Sequence, residues 1–240
     1  MNVTKITELL TIDGVGKEVV LDGFDFTENG YVKVLNAKSV LIQNCRVYGL
    51  NVDGAQKNYW FRVDSASPVK VVVRNCFLGD SKGSNGSMYN LFEPHVVLSD
   101  GSSFSENYFT KDCCTHNAVN IYGVAEGAHI LVNDNVFEVS AGTVRVGPQG
   151  EPHCTIEVSR NKVLANNERY TEADFGIVTV QPYGKQTPTF KNMTVLMDGN
   201  SCPSEQLIYG YSGAQDTTLN TENMPTIYVD GEQLQAPIYH

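Results

Sequence analysis

Short apolar runs alternate with clusters of Gly, Asn, Asp, Ser and Pro along almost the whole chain, and helical periodicity is nearly absent. Such runs, rich in Val, Ile, Phe and Tyr and bounded by turn residues, predict β-strands. Only residues 2–10 read as a short helix, capped by Asn2 or Thr4.

The runs also repeat. Segments 19–23, 40–44, 71–75, 103–107, 131–135, 157–161 and 196–200 align as a short strand ending on Asn, or on Gly in the first copy. The step between copies varies from 21 residues (Gly23 to Asn44) to 39 (Asn161 to Asn200). A second apolar strand follows each corner, at 45–48, 76–78, 108–109, 136–139 and 162–164. A third precedes each aligned segment, at 31–35, 59–63, 96–98, 118–122, 143–146 and 176–180. Three strands per repeat predict a three-sided solenoid in which every strand pairs with its equivalents in neighbouring coils.

The recurring Asn44, Asn75, Asn107, Asn135, Asn161 and Asn200 suit this layout. Asn tolerates the left-handed backbone of a sharp corner, and stacked Asn amides can hydrogen-bond from coil to coil. Two places after the Asn, Phe77, Phe109, Phe137 and Val163 are expected to form an interior ladder. The earliest copies break register, because Arg46 occupies that slot while Val47 and Phe26 come one place later. Either the corner there holds an extra residue or the alignment slips.

The strand-Asn-x-Phe pattern resembles the right-handed parallel β-helix superfamily, the pectate-lyase-like fold, over roughly residues 15–200. The resemblance implies an all-β chain of about six to seven three-strand coils. A short N-terminal cap and the helix would fill 1–200, and 201–240 would form a cap or interface segment, with 226–234 as a closing hairpin. Relatives of this fold include polysaccharide lyases and hydrolases, surface proteins of gut bacteria, and phage tailspikes and capsid decorations.

Composition narrows the function. The 240 residues are 18% charged and carry a net charge of −10, with no basic run, which disfavours phosphate backbones and anionic membranes as partners. No stretch nears the roughly 20 apolar residues of a spanning helix. The start shows no basic segment followed by an apolar one, so no signal peptide is expected. Six cysteines (Cys45, Cys76, Cys113, Cys114, Cys154, Cys202) are then expected as reduced thiols, with Cys45 and Cys76 acting as small apolar residues. The six Asp-Gly pairs read as turns, and carboxylates at the short period of calcium-binding rolls are missing.

Catalysis on a sugar needs two carboxylates, or a carboxylate with Arg or Lys, on one face. Glu157 and Asp134 come closest but differ in register, and the galacturonase signatures of the family are missing. Gln215-Asp216-Thr217 resembles an element of pectin methylesterases, yet it follows 174–176 where that family has the reverse order; it reads as a chance match. Asp112-Cys113-Cys114-Thr115-His116 holds thiol and imidazole, but adjacent cysteines rarely reach one metal ion. His95, His129 and His153 do not stack, so no metal and no cofactor is expected.

Binding has better candidates. Trp60 and Arg62 alternate with Tyr59 and Phe61, so if the latter face the core the former point outward, able to meet a sugar ring or a protein partner. The alternative is a Trp60 covered by the neighbouring loop at 50–57. Tyr209 and Tyr211 enrich the C-terminal segment in aromatics, which suits an interface. The leading expectation is a non-enzymatic phage virion component (head decoration, fibre or tail protein) that is made in the host cytoplasm. It would dock to other virion proteins or to itself, as a homo-oligomer such as a trimer. A glycan-binding module and a polysaccharide-degrading enzyme are the alternatives.

Overall fold

The computed structural model describes residues 3–51, 59–79, 81–82, 90–92, 96–111, 113, 117–139, 143–165, 177–180, 190–203, 208–210 and 224–234. Among these every regular element is a strand, and the chain visits three sheets in rotation. It begins with β1 (Thr4–Ile6), β2 (Leu10–Asp13) and β3 (Glu18–Asp22), and then repeats the circuit with β4 (Phe24–Glu28), β5 (Val32–Leu35) and β6 (Ser39–Gln43). Next come β7 (Arg46–Asn51), β8 (Phe61–Asp64) and β9 (Lys70–Arg74). After them follow β10 (Phe77–Leu78), the short β11 (Ser81–Lys82), β12 (Asn90–Phe92) and β13 (Ser103–Ser105).

The later circuits are β14 (Tyr108–Phe109), β15 (Asn117–Ile121) and β16 (His129–Asn133), then β17 (Val136–Val139), β18 (Val144–Val146) and β19 (Cys154–Ser159). The chain continues through β20 (Lys162–Ala165), β21 (Val178–Val180) and β22 (Met193–Asp198), and then β23 (Ile208–Gly210), β24 (Thr226–Val229) and β25 (Glu232–Gln233). Sheet A runs β1-β4-β7-β10-β14-β17-β20, with β11 also on β7. Sheet B runs β2-β5-β8-β12-β15-β18-β21-β23, and sheet C runs from β3 through β6, β9, β13, β16, β19 and β22 to β24 and β25. Among the described strands all pairings are parallel except β24 with β25, where Asp230 (φ 49°) and Gly231 (φ 84°) make the hairpin turn that 226–234 was expected to form. β23 and β24 carry the sheets beyond residue 200.

Strand alternation sends one set of side chains inward. Val32, Phe61, Phe92, Val119, Val144 and Val178 form one interior row of sheet B, and Ile42, Val73, Phe104, Val132 and Val158 one of sheet C. These parallel strands are edge-to-edge neighbours roughly 4.8 Å apart, so like side chains stack on like. Phe109 and Phe137 do so with ring centroids 4.6 Å apart.

Four expectations need correction. Residues 4–6 form strand β1, paired through Thr4, Lys5 and Ile6 to Phe24, Asp25 and Phe26, and no helix is present there. The expected strand at 96–98 is reduced to Leu98, which bridges Val69 and Val124; the sheet B strand of that circuit is β12, which brings in the buried Phe92. Phe77 faces outward at 39% exposure and stacks on Tyr108, while the next residue, Leu78, fills the interior slot. The Asn alignment also slips by one residue in its early copies. Gln43, Arg74, Ser105, Asn133, Ser159 and Asp198 share one register, so Asn44 and Asn75 align with Glu106, Asp134, Arg160 and Gly199.

The six asparagines therefore do two different jobs. Asn44 (φ 55°) and Asn75 (φ 50°) are exposed corner residues in the left-handed conformation, the role taken later by Glu106, Asp134, Arg160 and Gly199. Asn107, Asn135 and Asn161 are buried and, with the half-buried Asn200, lie one place further on, where Cys45 and Cys76 stand in the earlier coils. Each buried amide is satisfied at both ends. Asn135 Nδ2 donates to Phe104 O at 2.9 Å and to Asn161 Oδ1 at 2.9 Å, while Asn135 Oδ1 accepts from Asn107 N and Nδ2, each at 3.0 Å. Cys45 and Cys76 instead cap backbone carbonyls with their thiols, at 3.2 Å to Gln43 O and 3.3 Å to Arg74 O. The neighbouring Cys45 thiol and burial push the Cys76 thiol well above its ordinary range, so it stays protonated. No disulfide joins the described cysteines.

Candidate functional site on the outer face of sheet B

Residues that follow the interior row of sheet B point the opposite way. Phe92 pairs with both Phe61 and Val119, so Arg62 and Asn120 belong to one outward row. The register extends it from Lys33 through Arg62, Asn120, Arg145 and Thr179 to the backbone of Tyr209. Two of the residues proposed from sequence, Arg62 and Tyr209, are thus placed on one line along the stack. Tyr211 lies outside the described residues.

Trp60 is not on that line. It is fully buried, against Phe26 at 5.2 Å and Phe92 at 5.6 Å between ring centroids, so the outward reading is corrected. Strand alternation applies only from Phe61 onward. β8 starts only at Phe61, and Trp60 sits at the preceding bend, where a turn of the backbone brings both rings inside.

Arg62 is half-buried and held on three sides. Its Nε donates to Asp64 Oδ1 at 2.6 Å, its Nη1 to the Tyr59 hydroxyl at 2.9 Å, and its guanidinium lies 5.5 Å from the centroid of that ring. Lys33 Nζ reaches the other oxygen of Asp64 at 3.4 Å, so one carboxylate serves two cations. Further along, Arg145 lies 5.5 Å over the Tyr122 ring, and Asn120 Nδ2 donates to the Tyr122 hydroxyl at 2.6 Å.

Asn120 is the unusual member. It is fully buried although it belongs to the outer row, and its Oδ1 has no hydrogen-bond partner. An orphaned buried acceptor costs about 1–3 kcal/mol, and at 0% exposure this one is closed to solvent.

No protein family, curated protein or solved structure matches the chain.

The other candidates are dispersed. Asp134 and Glu157 occupy different rows: Asp134 takes both oxygens to Arg160, each at 2.8 Å, and Glu157 meets His129 at 3.2 Å and Ser159 at 2.9 Å. His153 pairs with Glu126 at 2.8 Å, and its backbone N–H holds that carboxyl below its ordinary range. Among the described residues no three metal-ligating side chains converge. Cys113 is buried, while the rest of 112–116, His95 and 215–217 lie outside the described residues. No helix among them is long and apolar enough to cross a membrane.

Asn120, Arg145 and Thr179 escaped the sequence reading, as did Tyr122. Their signal was present, since each falls inside a predicted third strand, at 118–122, 143–146 and 176–180. Aligning those strands with one another would have revealed a polar position between two apolar ones.

Proposed function

We propose that the chain is a right-handed parallel β-helix of about six to seven coils that serves as a non-enzymatic structural component of a phage virion. In this reading the stack is a stiff rod whose ends and loop edge dock to capsid or tail proteins. The observation that supports it most is the continuous coil-to-coil bonding. Three sheets of paired strands share an interior lined with stacked apolar residues, and the Asn107-Asn135-Asn161-Asn200 ladder ties one corner together. Such a body has each coil held by its neighbours on both sides, which makes it a mechanical element rather than a flexible one.

The test is direct. Mass spectrometry of purified virions from the phage whose genome encodes the chain should find it as a stoichiometric component, and a panel of polysaccharides should yield no oligosaccharide on incubation. Absence from the particles, or glycan turnover, overturns the proposal.

A second reading, glycan binding, is favoured by one observation, the outward row of sheet B in which Arg62 and Arg145 each lie over a tyrosine ring, those of Tyr59 and Tyr122. Arginine and tyrosine side chains beside a buried amide are suited to sugar hydroxyls and ring faces. A glycan array should then show binding that Arg145→Ala weakens; an array on which nothing binds removes this reading.

A further inference from the structure

Sheet C presents a mixed apolar and charged outer face at its N-terminal end. Three rows of outward side chains cross β3, β6 and β9 there: Glu18-Ser39-Lys70, Val20-Leu41-Val72 and Asp22-Gln43-Arg74. The middle row is apolar, and Val20 is 49% exposed. A shallow groove of about 240 Å³ lies over Leu41, lined also by Glu18, Ser39, Lys70, Val72 and Arg74.

The charges on this patch are ordered. Both flanking rows are acidic on β3, neutral on β6 and basic on β9. One flank is already set in place: Asp22 Oδ2 accepts from Gln43 Nε2 at 2.7 Å, and Gln43 Oε1 accepts from Arg74 Nη2 at 2.7 Å. Side chains fixed before association lose little freedom when they pair.

We propose that this patch is a self-complementary docking surface for a second copy of the chain. A twofold axis along β6, through Leu41, reverses the order of the strands and keeps the rows. Glu18 then meets the partner's Lys70, Asp22 meets the partner's Arg74, and Val20 packs on the partner's Val72, with each pair formed twice. The other in-plane twofold, along the stacking direction, would set Glu18 against Asp22 and Lys70 against Arg74. Charge thus selects a single arrangement.

The net charge of −10 opposes association at long range, so the local pairing has to carry the contact. Three strands about 4.8 Å apart and five residues long cover on the order of 250 Å² in projection, against roughly 800 Å² per partner in a standard interface. The dimer is therefore weak and reversible.

Sedimentation velocity tests this. The wild-type chain should move toward the dimer mass between roughly 10 µM and 1 mM. Glu18→Lys and Lys70→Glu, both exposed substitutions, should each stay monomeric over that range. An equimolar mixture of the two variants should dimerise again, as should the doubly substituted chain, because each then restores opposite charges across the axis. A wild-type chain that stays monomeric, a single variant that dimerises like wild type, or a mixture that fails to recover would each overturn the proposal.

Discussion

Asn135 and Asn161 lie one above the other at the buried corner between sheets C and A, and a single oxygen joins them: Asn161 Oδ1 accepts both the backbone N–H of Asn135 at 3.0 Å and its side-chain amide at 2.9 Å. The contact repeats from Asn107 to Asn135 and from Asn161 to Asn200. Removing one rung strands groups on both neighbours.

Asn135→Ala should therefore cost about 3 kcal/mol or more, since several buried polar groups each lose a partner worth about 1–3 kcal/mol. The exposed Asn75 holds the corner conformation and makes one solvent-exposed hydrogen bond, from its Nδ2 to Asn44 Oδ1 at 2.7 Å, so Asn75→Ala should cost about 1–2 kcal/mol. Urea unfolding of the two variants separates the roles; equal losses would mean that the buried amides are no more important than the corner ones.

Trp60 is the only tryptophan and is fully enclosed, so acrylamide should barely quench the emission of the native protein. Trp60→Ala should destabilise by about 3–5 kcal/mol through loss of the ring and the cavity left behind. Trp60→Phe should cost much less, because it also removes an indole N–H that is buried without a partner. Strong quenching in the native state would contradict the burial.

Val15 is 73% exposed with φ at 46°, a backbone setting that β-branched residues rarely adopt. Replacing it with glycine relieves about 1–2 kcal/mol of left-handed strain and adds some entropy to the unfolded chain. The expected net result is a gain of about 0.5–1 kcal/mol. A thermal midpoint that falls in Val15→Gly would show that its side chain makes a stabilising contact.

Acid should weaken the fold through three exposed carboxylates. Hydrogen bonds from Asn44 and Gln43 lower the Asp22 carboxyl, the His153 backbone N–H lowers that of Glu126, and Arg160 lowers that of Asp134. Each is more acidic folded than unfolded, so its contribution is present above the ordinary carboxylate range and disappears as pH falls through the depressed folded value. The melting temperature should be level from pH 7 to about 5 and decline below about 4. Arg160→Gln should make the decline shallower, and an unchanged slope would remove Asp134 from the explanation.

Much of the fold is legible in the order of residues alone. The positions of the strands around Val71, Leu131 and Val163 follow from apolar runs bounded by turn residues, and the turn at Asp230-Gly231 from its two residues. The site is harder to see. Arg62 and Tyr209 stand out for their side chains, yet what connects them is register across β8 to β23, and the intermediate members Asn120 and Arg145 are ordinary polar residues when met one at a time.

Local preference alone settled that the chain bends every few residues and returns to the same three directions, because Asn, Gly and β-branched residues restrict the backbone wherever they occur. It could not tell Asn75 from Asn107. One amide side chain serves equally well at an exposed left-handed corner and in a buried ladder, and which it does depends on the coil above and below. The same dependence put Trp60 inside and left Phe77 outside. A single residue of register, invisible in composition, reverses the side of the wall on which a side chain stands.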